Sequence, residues 1–391
     1  MKLIYKLNAV IAVVVAGLVA CGGGGGGGAT ASNSDGSLRI AMTDAPGCGY
    51  SAVNVTIQKI RVHMSSSASD TDTGWSEVVL SPAKRVDLLT LSNGILSEMG
   101  QTALPAGKYT QLRLVLASND AANPLLNSVV PTGGVEVALK SPSGAQSGIK
   151  ANVNIDIAAN KMADFVVDFD ACKSVVTAGG SGQYLLKPVI SVLPRYISGV
   201  AGFVDVLTLA NGNTSVSLQQ NGDSVKATAP DGTGKFTLQP VAPGTYSLVL
   251  TAPGRTTTVV TGVVVASETV TSINLASTAL TSAVSLTGTV SGTAPVDTYV
   301  RALQPLTNGT TVEVNGKFVD SVGGGYSFSL PVNAPLVAPY VAAPTALVFA
   351  ADTAVAGKYT TRASLTGFAD KTTVLGTLAA GAIVSSNFTF P

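Results

Sequence analysis

The chain has 391 residues, enough for two or three domains behind an export segment. Only 12% of its residues are charged, about half the usual globular share, while Gly, Ala, Ser, Thr and Val are abundant, a balance that fits extracytoplasmic β-sandwiches with short turns. A net charge of +1, with no basic stripe and no interleaving of Arg with aromatic residues, argues against nucleic acid as a partner.

The chain opens with Lys2 and Lys6, an apolar run from Leu7 to Val19, the small-residue stretch Leu18-Val19-Ala20-Cys21, and then seven glycines. A cationic start, a short apolar core and a small-residue cleavage zone mark an export signal. The segment resembles the lipobox of bacterial lipoproteins. That resemblance implies removal of residues 1–20 and acyl chains, palmitate among them, on Cys21. The alternative is a retained transmembrane helix, but the run is short for a span of about 20 residues and lacks a basic stop-transfer cluster. Residues 21–37 form the lipidated end and a flexible tether with a reach of about 20–24 Å. The glycines cannot be a phosphate loop, since neither a Lys-Ser/Thr pair nor a helix pattern follows. Gly22 in place of Asp resembles the pattern sorted to the outer membrane in two-membrane bacteria. The expected address is therefore the cell envelope, with the lipid membrane as a partner through Cys21.

Beyond the tether the signal is β almost throughout. Residues 38–43, 52–63, 109–116, 135–139, 151–157 and 162–169 alternate apolar and polar or run in β-branched residues between turn clusters. The spacing of Leu88, Leu89, Leu91, Ile95, Leu96 and Met99 predicts a helix over 86–99, which Ser92-Asn93-Gly94 could split. A long uncharged stretch, residues 330–351, carries four prolines and reads as a loop or edge segment packed on a sandwich rather than a membrane helix. An internal repeat leads into Tyr109, Tyr246 and Tyr359, each two residues after Gly107, Gly244 or Gly357. In each copy the glycine is expected to supply a positive φ and the tyrosine to open a core-facing strand. The fold class is all-β: tandem β-sandwiches, Ig-like or prealbumin-like, over residues 38–196, 197–277 and 283–391.

MTDAP at 42–46, Val86-Asp87-Leu88-Leu89, LPAGKY at 104–109, Val167-Asp168-Phe169-Asp170 and LLKPVI at 185–190 resemble bacterial domain of unknown function 4382. The resemblance implies an exported, often lipidated domain with no assigned activity. Asp231-Gly232, Lys235 to Leu238 and Pro243-Gly244-Thr245-Tyr246 resemble the carboxypeptidase regulatory-like, transthyretin-type sandwich, which implies an accessory module without catalysis. The last unit shares Gly325-Tyr326-Ser327-Phe328 and Gly357-Lys358-Tyr359 but departs by the proline-rich insertion, so whether it repeats the second unit stays open.

Cys48 and Cys172 remain after Cys21, and in an oxidising exported compartment an even pair reads as a disulfide; two buried thiols are the alternative. Such a bridge would draw Asp44 towards Asp168 and Asp170, whose strand face they share with Asp164, opposite Phe165, Val167 and Phe169. Asp44, Asp168 and Asp170 could then hold Ca²⁺, the one cofactor the sequence admits; turn capping and solvation are the bland alternative. DTDTG at 70–74 lacks the sixth-position Gly and the Glu at position twelve of a calcium loop and reads as a turn. His63 is the only histidine, no nucleophile elbow exists, and no zinc-ligand spacing is present. Trp75, the only tryptophan, reads as a strand-entry core anchor, with exposed sugar stacking as the alternative. The sequence thus points to a non-enzymatic envelope protein that binds or presents an envelope protein or polysaccharide. A calcium-stabilised carbohydrate-binding or adhesion protein comes second and a carboxylate-dependent hydrolase third.

Overall fold

The computed structural model describes residues 35–44, 49–209 and 213–391. The export segment, Cys21, most of the tether and Cys48 lie outside the described residues. The described chain is nearly all-β, about half of it in strands, arranged as tandem sandwiches. Among the described residues no helix is long and apolar enough to cross a membrane.

The first sandwich contains β1 (Gly36–Asp44), β2 (Tyr50–His63), β3 (Ser76–Asp87), β4 (Ser97–Leu104), β5 (Gly107–Leu116), β6 (Ser128–Pro131), β7 (Val137–Lys140), β8 (Ile149–Ile157), β9 (Met162–Phe169), β10 (Val175–Thr177), β11 (Tyr184–Leu186) and β12 (Ile190–Pro194). One sheet runs β12-β9-β1-β4; the other runs β10-β11-β7-β6-β2-β5-β8, with β3 also paired to β2. Period-two alternation puts Leu38, Ile40 and Met42 of β1 into the core opposite Val53, Val55 and Ile57 of β2. A register shift between Ile57 and Lys59 then moves the buried set to Ile60 and Val62, as an extra residue in one strand must.

The second sandwich contains β13 (Gly199–Phe203), β14 (Ser215–Gln220), β15 (Asp223–Thr228), β16 (Lys235–Leu238), β17 (Gly244–Thr251), β18 (Thr258–Val265) and β19 (Val270–Ser272). The third contains β20 (Thr287–Thr293), β21 (Tyr299–Pro305), β22 (Thr311–Phe318), β23 (Gly325–Pro331), β26 (Thr360–Ser364), β27 (Lys371–Val374) and β28 (Ile383–Ser385), interrupted by β24 (Leu336–Pro339) and β25 (Ala350–Ala351). All three share one strand pattern. The orders β3-β2-β5-β8, β15-β14-β17-β18 and β22-β21-β26-β27 match. So do β4-β1-β9, β16-β13-β19 and β23-β20-β28, each with its central strand antiparallel to one neighbour and parallel to the other. The last unit therefore repeats the topology of the second.

Two expectations are corrected. Residues 86–99 form no α-helix: β3 runs to Asp87, a 3-10 turn covers Leu88–Leu91, and β4 starts at Ser97. Asn93 (φ 58°) and Gly94 (φ 75°) turn left-handed and stop any helix, while Val86 of β3, Leu88 and Leu91 of the 3-10 turn and Met99 of β4 still reach the core. Gly244 does not take a positive φ, unlike Gly107 and Gly357. A Cβ there would stand 3.1 Å from the Tyr246 hydroxyl oxygen, so the glycine spares that ring a shift of a few tenths of an ångström. The proline-rich stretch does pack as an edge segment, and it does so on the neighbouring sandwich. Strand β24 pairs in parallel with β18 and carries β25, extending the second sandwich's sheet.

Candidate functional site at the sandwich junctions

The parallel register of β1 and β9 sets Thr43 beside Asp168 and Asp44 beside Phe169. Asp44 is buried, and its Oδ1 accepts from the Ala171 N–H at 2.8 Å. Asp170 caps the short helix Ala171–Ser174, its Oδ1 accepting from the Lys173 N–H at 3.0 Å. Asp168 faces away from Phe165, Val167 and Phe169, which lie in the core, and accepts from Lys226 Nζ of β15 at 2.7 Å. That pair is nearly dry, with side chains 3% and 11% exposed. Asp164 turns instead to Arg39 and Arg195. The carboxylates proposed as calcium ligands thus go to different donors. Among the described residues no group of three or more His, Cys, Asp or Glu stands together as a metal site. Cys172 lies in the same helix and is partnered, while Cys48 lies outside the described residues.

That helix touches the third sandwich. Lys173 Nζ lies 3.4 Å from Asp170 Oδ2 and 3.6 Å from Glu313 Oε1 of β22. Glu313 Oε2 faces Arg301 Nε at 3.2 Å, Arg301 Nη1 lies 3.5 Å from Asp223 of β15, and Arg362 joins the same Asp223. The ring of Tyr299 sits among these charges, its centroid 4.9 Å from the Arg301 guanidinium carbon and 5.9 Å from Lys173 Nζ. Burial drives the Tyr299 hydroxyl well above the usual phenol range. Burial opposes the charge on Lys173, but Tyr299, Asp170 and Glu313 outweigh it and hold the ammonium above the ordinary lysine value. A continuous chain of charges therefore runs from the first sandwich through the third to the second.

Neutral contacts tighten the same junctions. Gln219 of β14 and the backbone of Glu313 exchange two hydrogen bonds, at 2.7 and 2.8 Å. Asn93 accepts from the Thr237 N–H at 3.1 Å, and Asp320 accepts from the Gly179 N–H at 2.8 Å. Val249 and Val259 of the second sandwich pack on Leu306, Val312 and Val355 of the third.

The remaining candidates are held by local contacts. The two ring nitrogens of His63 are both engaged with loop backbone, Nδ1 accepting from the Ser65 N–H and Nε2 lying against Thr73 O, each at 2.9 Å. Trp75 is not a core anchor. It is half-buried outside the apolar core, its ring 4.5 Å from the Arg61 guanidinium and 5.3 Å from that of Arg113, and its Nε1 donates to Ser69 O. The DTDTG stretch is a turn, with Asp72 accepting from the Ser69 N–H at 3.1 Å. Between the first and third sandwiches a cleft of about 510 Å³ opens beside the junction, lined by residues including Tyr50, Lys173, Lys317, Phe318, Asp320 and Tyr326. Sequence reasoning missed Lys317, Glu313, Arg301 and Tyr299, which carry no motif.

Residues 35–188 match the family model described as Domain of unknown function (DUF4382). No curated protein sequence matches the chain. Among solved structures, a type II cohesin–X-dockerin complex from Acetivibrio cellulolyticus is 20% identical over 22% of this chain and 58% of its own, with a TM-score of 0.19. The Bacillus anthracis TIE protein is 12% identical over 91% of this chain and 50% of its own, with a TM-score of 0.18. A streptococcal ancillary pilin is 11% identical over 90% of this chain and 98% of its own, with a TM-score of 0.14. The chain thus spans 58% and 50% of the length of the first two, and similarities at these scores carry no argument about what it does.

Proposed function

We propose that this chain is a non-enzymatic lipoprotein of the bacterial cell envelope, held in the outer membrane of a two-membrane bacterium through acyl chains on Cys21. Its sandwiches bind or present a partner rather than turn over a substrate. The observation that carries this reading is where the chemistry-bearing side chains go. Asp168, Lys226, Lys173, Glu313, Arg301 and Asp223 are taken up in contacts between sandwiches, not gathered round a reacting centre. Both nitrogens of the single histidine are occupied by loop backbone, which supplies no general base for a nucleophile.

The intact mass of the chain extracted from envelopes tests the anchor. A mature species starting at acylated Cys21 is expected, whereas an unmodified amino terminus or a cytosolic protein ends the proposal. Turnover in an activity screen that disappears in Asp168→Asn or Asp170→Asn chains whose circular dichroism and melting still show the native fold would end its non-enzymatic part.

We further propose a Cys48–Cys172 disulfide. Its support is the hydrogen bond from Ala171, the residue before Cys172, to Asp44, four residues before Cys48. Closing a loop of about 125 residues would contribute up to about 4–5 kcal/mol on the chain-entropy argument. Thiol titration of the denatured, unreduced mature protein should find no reactive thiol, and two would dismiss the bridge. The separate partners of Asp44, Asp168 and Asp170 leave the calcium alternative without an observation in its favour.

A further inference from the structure

We propose that the cleft between the first and third sandwiches binds a small organic carboxylate bearing an aromatic or saccharide ring, with the Lys317 ammonium as its counter-charge. This deepens the binding reading above and names a site for it.

Lys317 lies on β22, and its Nζ stands 5.3 Å from the centroid of the buried Phe328 ring. Its ammonium makes no ion pair or hydrogen bond among the described residues, and burial alone lowers its pKa below the ordinary lysine value. The residue is half-buried, and a cation that has lost part of its water is costlier unless an anion or hydrogen bonds compensate it, of which one aromatic face returns only a share. The other charges on the cleft are already balanced. Lys173 has Asp170 and Glu313. Asp320 accepts from the N–H groups of Gly323 at 2.7 Å, Val322 at 3.0 Å and Gly179 at 2.8 Å, and these hold it below the usual carboxylate range. The cleft therefore has one positive charge without a protein anion beside it and one fixed negative charge.

That balance selects a monoanion, because a second negative charge on the ligand would meet Asp320 without a second cation to offset it. The walls select a ring. Tyr50, Phe318 and Tyr326 line the opening, and the Tyr50 hydroxyl, pushed up to about 12 by burial and then by Tyr184, stays protonated as a donor at neutral pH. A volume of about 510 Å³ suits a ligand of one or two rings. The cleft between the second and third sandwiches offers no such selection, being lined by uncharged groups such as Gln220, Asn221, Thr245 and Thr311.

Calorimetric titration of the full mature chain at constant ionic strength tests the site, with sodium benzoate, sodium glucuronate, inorganic phosphate and neutral benzamide as probes. Saturable binding of benzoate or glucuronate is expected, at least tenfold tighter than phosphate or benzamide. Lys317→Met should weaken it at least tenfold, while Lys317→Arg should retain it within a few-fold and Lys140→Met should leave it unchanged. The melting temperature of Lys317→Met in the absence of probe should match that of the native chain, since the substitution keeps the apolar stem and removes a partly desolvated charge that no protein anion pairs, so lost binding would not reflect lost folding. Absence of saturable carboxylate binding, equal binding of phosphate, or binding unmoved by Lys317→Met would overturn the proposal. The envelope reading would survive any of these if the intact mass still showed acylated Cys21.

Discussion

Tyr109, Tyr246 and Tyr359 sit at the mouth of the same strand in three sandwiches, yet their hydroxyls are held differently. Tyr109 donates to Pro105 O at 3.0 Å and Tyr246 to Ala242 O at 2.9 Å, both four residues upstream. Tyr359 instead donates at 2.7 Å to Pro331 O at the end of β23. Pro331 is buried, whereas Pro105 is exposed. Losing the bond to Pro331 leaves a carbonyl that water cannot readily reach, so Tyr359→Phe should cost about 1–3 kcal/mol; Tyr109→Phe should stay near 0.5–1.5 kcal/mol. Urea unfolding midpoints of the two variants check the order. The Lys226–Asp168 pair obeys a similar rule with charge added. Asp168→Asn alone strands a nearly buried ammonium and should cost about 3–5 kcal/mol, and adding Lys226→Met should recover a large part of it. A double-mutant cycle of unfolding free energies measures that recovery. Asp320 gives a pH signature. Backbone N–H groups hold its folded pKa below the ordinary value, so its contribution is complete above the unfolded value and is lost as pH falls through the folded one. The stability gap between the native chain and Asp320→Asn should therefore be widest near neutrality and close on acidification, as unfolding curves at stepped pH would record.

At the scale of single elements, β24 carries the most weight for its length. Its four residues leave the third sandwich and pair in parallel with β18, with Ala338 fully buried opposite Val260. Ala338→Asp would bury an unpaired carboxylate in that seam and should cost several kcal/mol, read as lower unfolding midpoints for both sandwiches. The sequence allowed residues 330–351 to be read as an edge segment because prolines confine a strand to an edge. Which sheet it would join was not legible, since an edge's partner is set by tertiary placement and leaves no local pattern. Strand positions were legible for the opposite reason: alternation such as Leu38, Ile40, Met42 is local. The helix over 86–99 failed because core contact from three different elements imitates helical spacing. The junction was illegible too. A lone Lys317 or Glu313 in a strand looks like a solvated face, and only a neighbouring sandwich turns that face inward. Asp168 was noticed, but its partner Lys226 lies 58 residues away with no motif to join them.

Taken as a whole, the described body is coupled far beyond beads on a string. Linked domains ordinarily meet through modest polar interfaces and move independently. Here the second and third sandwiches share a sheet through β24, a dry cluster around Leu306 and Val259, and the Gln219–Glu313 hydrogen bonds. Separating them would break strand pairing and wet apolar side chains together, so neither should unfold alone while the other stays native. Calorimetry of the full mature chain should then show these two sandwiches melting in one transition. Leu306→Asp supplies the contrast. Leu306 is 5% exposed and belongs to the shared cluster rather than to the core of either sandwich, so the substitution should loosen the seam without emptying a core. The expected record is a split into separate transitions, with the calorimetric enthalpy of the formerly single peak exceeding the van't Hoff enthalpy of each component. A single unsplit peak at lower temperature would instead mean that β24 and the Gln219–Glu313 hydrogen bonds couple the pair without help from Leu306.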